Sequence, residues 1–171
     1  MNDDQIIDVI LQFEGGFVNN QADRGGPTNF GITAAALGRW LGQSTAATIE
    51  QIHNLTVIDA RKIYADWYIA KPGFAAITDG SLKLVLVDSG VLHGTARATK
   101  WLQQALNVAA DGVFGNDTQS ALDGCPDQVK LARRVLALRL RSIAGILAAD
   151  TSQTIFLRGW VNRAATLLDY I

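Results

Sequence analysis

Phe13-Glu14-Gly15-Gly16-Phe17-Val18-Asn19, running on through Ala22-Asp23-Arg24-Gly25-Gly26-Pro27-Thr28-Asn29-Phe30-Gly31-Ile32-Thr33, is the stretch on which the reading of this chain turns. Upstream of it, Ile6, Ile7, Ile10 and Phe13 recur at three-to-four spacing, widened by Val9 and Leu11, which predicts an amphipathic helix over Asp4–Phe13. Asp3 or Asp4 can cap its first turn, and Gly15-Gly16 ends it, leaving Glu14 at the carboxyl end. The partial negative charge of a helix end, and the apolar neighbours Phe13 and Phe17, favour the protonated form of that side chain. Glutamate occurs only at positions 14 and 50, and Glu50 has no such setting. Asp23 follows Glu14 by nine residues and Thr28 follows Asp23 by five. Two carboxylates and a hydroxyl near glycine-rich backbone are the parts that protonate a leaving group and direct a water. The bland alternatives are a turn-forming role for Asp23 and a backbone-bonded hydroxyl for Thr28. Asn29, beside Thr28, is a candidate substrate-binding residue.

Other chemistries find less support. Gly25-Gly26 has no following lysine and no preceding strand, so a nucleotide site and a nucleic-acid partner are not expected. Asp88-Ser89-Gly90 with His93 lacks a nucleophile-elbow spacing. Asp111-Gly112-Val113-Phe114-Gly115-Asn116-Asp117 lacks the spacing and terminal glutamate of a calcium loop and reads as a tight turn with a helix cap. With one cysteine, Cys125, and two distant histidines, His53 and His93, neither a disulfide framework nor a histidine zinc site is expected, and no cofactor is called for.

The chain of 171 residues is 49% hydrophobic and 18% charged, long enough for a real core. Its start, Met1-Asn2-Asp3-Asp4, is unlike a secretory signal, and no apolar run is long enough to span a membrane. Synthesis as a soluble cytoplasmic protein is therefore the expectation. The net charge of −1 conceals a polarity: residues 1–90 hold 6 Lys/Arg against 10 Asp/Glu, and residues 91–171 hold 9 against 6. From Lys130 onward seven basic residues face only Asp150 and Asp169. Arg133, Arg134, Arg139 and Arg141 on one long helix, with Arg158 and Arg163 on the last, suit an anionic polymer or surface, with Arg133 and Arg134 taken as candidate binding residues. The alternative is a solvated helix face.

Helical patterns dominate. They cover Ala34–Leu41, Thr56 to Trp67 (opened by a Thr56/Asp59 capping box and closed before Pro72-Gly73), Ala98–Leu106, 117–122, Gln128–Leu147 and Ile155–Ile171. Leu82–Leu92 could be a buried strand, but its length favours a buried helix. Residues 16–32 read as a small irregular or hairpin-like lobe. Trp101 and Trp160 lie on apolar helix faces as core residues. No linker is visible, which predicts a single globule; a monomer is expected.

The segments Glu14–Asn19 and Ala22–Thr33 together resemble the signature of glycoside hydrolase family 108, lysozyme-like N-acetylmuramidases found among phage endolysins, prophage genes and bacterial secretion activators. Trp101–Leu106 through Asp111–Thr118, and Phe156–Arg163, resemble the type 3 peptidoglycan-binding region of such proteins. The resemblance implies a mainly α, lysozyme-like fold with a small β lobe, divided into a catalytic part at 1–92 and a peptidoglycan-binding-like part at 93–171. It implies cleavage of the β-1,4 bond between N-acetylmuramic acid and N-acetylglucosamine in peptidoglycan, leading to cell lysis, with Glu14 as the catalytic glutamate. The order Glu14, Asp23, Thr28 is also similar to the Glu/Asp/Thr triad of phage-type lysozymes, with the threonine one residue early. Arg24 stands where many members have proline. Such an enzyme is expected to reach the periplasmic wall after a separate membrane lesion and to touch the anionic outer-membrane surface. A non-catalytic wall-binding protein and a lytic transglycosylase are the alternatives.

Overall fold

The structure, a computed structural model, describes residues 1–19 and 26–171. The chain is mainly helical, as expected. Helix α1 spans Asp3–Glu14, and strands β1 (Thr28–Asn29) and β2 (Ile32–Thr33) form an antiparallel hairpin. There follow α2 (Ala34–Trp40), α3 (Ile49–His53), α4 (Val57–Tyr64), a wider π-helical stretch at Ala65–Ala70 and a 3-10 turn at Phe74–Ala76. Helices α5 (Gly80–His93), α6 (Thr95–Leu106), α7 (Asn116–Asp123) and α8 (Gln128–Ala149) come next, and a 3-10 stretch, Thr151–Phe156, leads into α9 (Leu157–Leu168). No described helix is long and apolar enough to cross a membrane. The residues fall into two compact units, Ile7–Trp67 and Met1–Ile6 with Tyr68–Ile171.

In the Ile7–Trp67 unit, short helices begin where a threonine supplies a cap. The hydroxyls of Thr33, Thr48 and Thr56 accept from the backbone N–H of Ala36, Gln51 and Asp59 at 3.2, 3.1 and 3.1 Å. Such a cap contributes about 1 kcal/mol. Helix α3 is an addition to the expected helices, and its signal is the complete box in which Gln51 Oε1 accepts from Thr48 N at 2.8 Å. Thr56 and Asp59 pair differently from a full box, since the Thr56 hydroxyl donates to Asp59 Oδ2 at 2.6 Å and so holds that carboxyl below its usual range. An Arg61–Asp8 ion pair ties α4 to α1.

In the larger unit, Leu82–Leu92 is helical. Asp79 Oδ1 caps α5 by accepting from Leu82 N at 2.8 Å, and every residue from Leu82 to Gly90 is buried. A helix buried all round shows little amphipathic period, which is why its pattern alone could pass for a strand. Helices α5, α6 and α8 pack against one another. The expected division at 92/93 lies in the last turn of α5. Trp101 lies in the core, while Trp160 is half-buried against His93 and Phe156.

Two of the arginines read as anion-binding are not on the surface. Arg139 is fully buried, and its Nη1 donates to Asp88 Oδ1 at 2.5 Å; Arg163 Nε donates to Asp88 Oδ2 at 2.6 Å. The reason is geometric. Arg139 occupies the buried row Leu131, Val135, Arg139, Ile143 of α8, which faces a helix carrying a buried carboxylate. A buried cation persists only when paired.

Beside this triad, burial and the positive charges of Arg139, Arg97 and Arg163 push His93 down from 6.5 to about 4, against a smaller opposing pull from Asp88. A histidine whose folded value lies below its unfolded one destabilises the fold as pH falls, because the unfolded chain binds a proton that the folded chain refuses. Lowering pH from 6.5 towards about 4 is therefore expected to lower the thermal midpoint, and His93→Gln to flatten that decline. Calorimetry of both proteins over this window is the check; parallel curves would assign the decline to other groups.

Candidate active site

The site grows from the end of α1. Glu14 is the last helical residue and is half-buried. Facing it is the hairpin turn Phe30-Gly31, with φ of 51° and 72°. Two central residues at positive φ make the mirror-image turn that matches the twist of a two-residue hairpin. A phenylalanine there is strained by of order 1 kcal/mol, and the surroundings hold it. Tyr64 of α4 donates its hydroxyl to Phe30 O at 2.8 Å. Asn29 Nδ2 donates to Ile52 O at 3.0 Å and lies within 3.4 Å of both His53 O and Leu55 O, covering carbonyls at the end of α3. On its other side β1 is bridged to Val18, with Val18 N donating to Thr28 O at 2.8 Å and Thr28 N to Val18 O at 2.9 Å.

This scaffold presses the turn onto the acid. A Cβ on Gly31 would stand 2.8 Å from Glu14 Cδ and 2.9 Å from its Cγ, closer than any side chain permits. A side chain at position 31 would push the Glu14 carboxyl out of this position, which glycine leaves undisturbed. Gly31→Ala is expected to lower catalytic turnover on the order of 10²-fold, the effect of displacing a reacting group by about 1 Å. Gly26→Ala separates collision from backbone strain, since Gly26 has a similar φ of 69° with nothing within 4 Å of its Cβ position. Turbidity clearing by the two variants provides the comparison, and equal losses would remove Gly31 from the site.

Of the residues singled out from sequence, Glu14, Thr28 and Asn29 share the Ile7–Trp67 unit. Asn29 is buried and its amide is engaged with backbone carbonyls, which makes it a hairpin anchor. Asp23 lies outside the described residues. Arg133 and Arg134 are exposed on α8, in the larger unit, where Arg133 Nη2 donates to Ile171 O at 2.8 Å. Gly31 and Tyr64 are additions. The sequence signal for the first is a Phe-Gly turn flanked by an asparagine and a β-branched residue. Tyr64 reads as ordinary core and carries no separate signal. Among the described residues no cluster of histidine, cysteine, aspartate and glutamate could hold a metal ion.

Set against known proteins, residues 7–94 match the family described as Glycosyl hydrolase 108, and residues 97–165 match the one described as Predicted Peptidoglycan domain. No curated protein matches the chain. The structure is similar to that of Brucella abortus SagA, with a TM-score of 0.83 and 27% sequence identity over 96% of this chain and 90% of that one.

Proposed function

We propose, from the premise that the chain belongs to the glycosyl hydrolase 108 family, that it is an N-acetylmuramidase. Membership makes it a glycoside hydrolase, and the second matched domain makes peptidoglycan its substrate. The proposal concerns the bond: the β-1,4 linkage from N-acetylmuramic acid to N-acetylglucosamine. Glu14 gives its proton to the glycosidic oxygen as the C1–O bond breaks. Asp23 accepts a proton from the attacking water, Thr28 orients that water, and the new C1–O bond forms with inversion. The observation that supports this reading is the Glu14 carboxyl at a helix end, lying against the Phe30-Gly31 turn so closely that a Cβ on Gly31 would meet it.

The biological setting proposed with it is a phage-type endolysin, monomeric, acting on the periplasmic wall once the inner membrane is breached. Arg133 and Arg134 would aid capture of the anionic wall or outer-membrane surface. Mass analysis of digested sacculi tests the chemistry. Hydrolysis at this bond is expected to leave reducing N-acetylmuramic acid ends carrying the mass of one added water. Reducing N-acetylglucosamine ends would refute the bond assignment, and 1,6-anhydro ends would refute an attacking water.

A further inference from the structure

One helix begins and two end around a pocket of about 370 Å³ in the larger unit. Its walls are the close of α6 at Ala105-Leu106-Asn107, the close of α7 at Ala121 and Gly124, and the opening of α8 from Asp127 to Arg134. The volume lies within the range of about 300–1,000 Å³ usual for ligand pockets. The helix ends are fixed by backbone bonds. Asn107 turns the chain out of α6 at a left-handed φ of 59°, its N–H donating to Gln104 O at 3.2 Å and that of Val108 to Gln103 O at 3.0 Å. Cys125 N donates to Leu122 O at 3.0 Å at the end of α7. A wall set in this way costs a ligand little ordering on binding.

The walls differ in charge. Lys130 and Arg134 stand one turn apart on the face of α8 that lines the pocket, and both are exposed. Among the described residues neither side chain is taken up by an ion pair. The carboxyl ends of α6 and α7 bring the partial negative charge of their helix dipoles. Asp127 adds a carboxylate, of which Oδ1 caps α8 by accepting from Lys130 N at 2.8 Å and Oδ2 remains as an acceptor. Leu106, Ala121, Pro126 and Leu131 make the rest of the lining aliphatic. This division selects the ligand. A plain anion would meet Asp127 and two negative helix ends, and a plain cation would meet Lys130 and Arg134. An ammonium and a carboxylate on one carbon, with a methylene chain behind them, satisfy both at once. The glycan of peptidoglycan carries no such group, because its amines are acetylated and its lactyl carboxylate has no ammonium beside it. The peptide stem carries one in the free amino-acid head of meso-diaminopimelate.

We infer that this pocket binds the free amino-acid head of a diaminopimelyl stem, its carboxylate on Lys130 and Arg134 and its ammonium on Asp127. The inference rests on the reading of the chain as a peptidoglycan hydrolase. It is tested on the full chain by calorimetric titration with synthetic L-Ala-γ-D-Glu-meso-diaminopimelate. Two altered peptides serve as comparisons: one acetylated on the free head, and the lysine analogue, which lacks the head carboxylate. The first peptide is expected to bind and each altered one to bind about tenfold more weakly, the loss of one charge-assisted contact. Lys130→Gln and Arg134→Gln should each weaken the first peptide about tenfold as well. Cys125, the one cysteine of the chain, lines the pocket and is half-buried, so saturating peptide should slow its alkylation. Equal affinity for all three peptides, no binding of the first, parental affinity in both variants, or alkylation unchanged at saturation overturns the inference. Wall clearing by the same protein is read separately: clearing without peptide binding defeats the pocket alone, and peptide binding without clearing defeats only the hydrolase reading.

Discussion

Replacing Glu14 with glutamine is expected to lower wall-clearing activity on the order of 10² to 10⁴-fold while leaving the fold in place. Glutamine keeps the shape of the side chain and loses the transferable proton. General acid catalysis is worth about that factor, because a sugar alkoxide leaves poorly without protonation. Among the described residues, the turn facing Glu14 supplies no second acid. The turn residues facing Glu14 are Phe30 and Gly31, and the nearby tyrosine, Tyr64, already donates its hydroxyl to Phe30 O. Binding to intact sacculi should persist, since the proposed capture residues Arg133 and Arg134 are untouched. Turbidity of permeabilised cells reads the activity, co-sedimentation with sacculi the binding, and thermal unfolding the fold. Near-parental clearing by the variant would end the assignment of Glu14 as the acid. Asp23→Asn adds a second comparison: full activity there alongside a dead Glu14→Gln would reduce Asp23 to an organiser of its loop.

The largest stability loss is expected far from that carboxylate in sequence. Asp88→Ala removes the anion that Arg139 and Arg163 share, two guanidinium groups that the larger unit buries. Breaking a buried ion pair from one side costs about 3–5 kcal/mol, since the surviving charge has lost its partner without regaining water. Here Arg139 is fully buried and its contacts to Asp88 and Ser89 lie in the core, so the upper part of that range is expected. Urea denaturation should show it as a midpoint lowered by more than about 1 M. Asp88→Asn retains shape and acceptor but not charge, and should fall between parent and alanine variant. Ser89→Ala, which loses only a 3.5 Å contact to Arg139, should change little. A loss below about 1 kcal/mol in Asp88→Ala would mean that the arginines find water or another anion once released.

These two residues also mark where sequence reading succeeds and where it stops. Helix α1 and its end at Glu14 follow from local patterns: apolar side chains at three-to-four spacing, then paired glycines. The same holds for α6, α8 and the threonine-capped helices, because caps and amphipathic stripes act over one or two turns. The position of an acid at a helix end, and hence the candidate chemistry, was therefore legible in the order of residues. Even Arg139 left a trace, as the cation in the row Leu131, Val135, Ile143. Its partner left none, since Asp88 is 51 positions away on a helix whose burial on all sides erases any periodicity. Tertiary structure alone turned Arg139 and Arg163 from apparent wall-binding cations into core, and brought Gly31 against a glutamate 17 positions upstream. It likewise committed the Asn29 amide to the end of α3. Local order decides which helices form and where they stop. Which charges meet, and which glycine lies against the acid, depends on non-local packing that no short window of residues encodes.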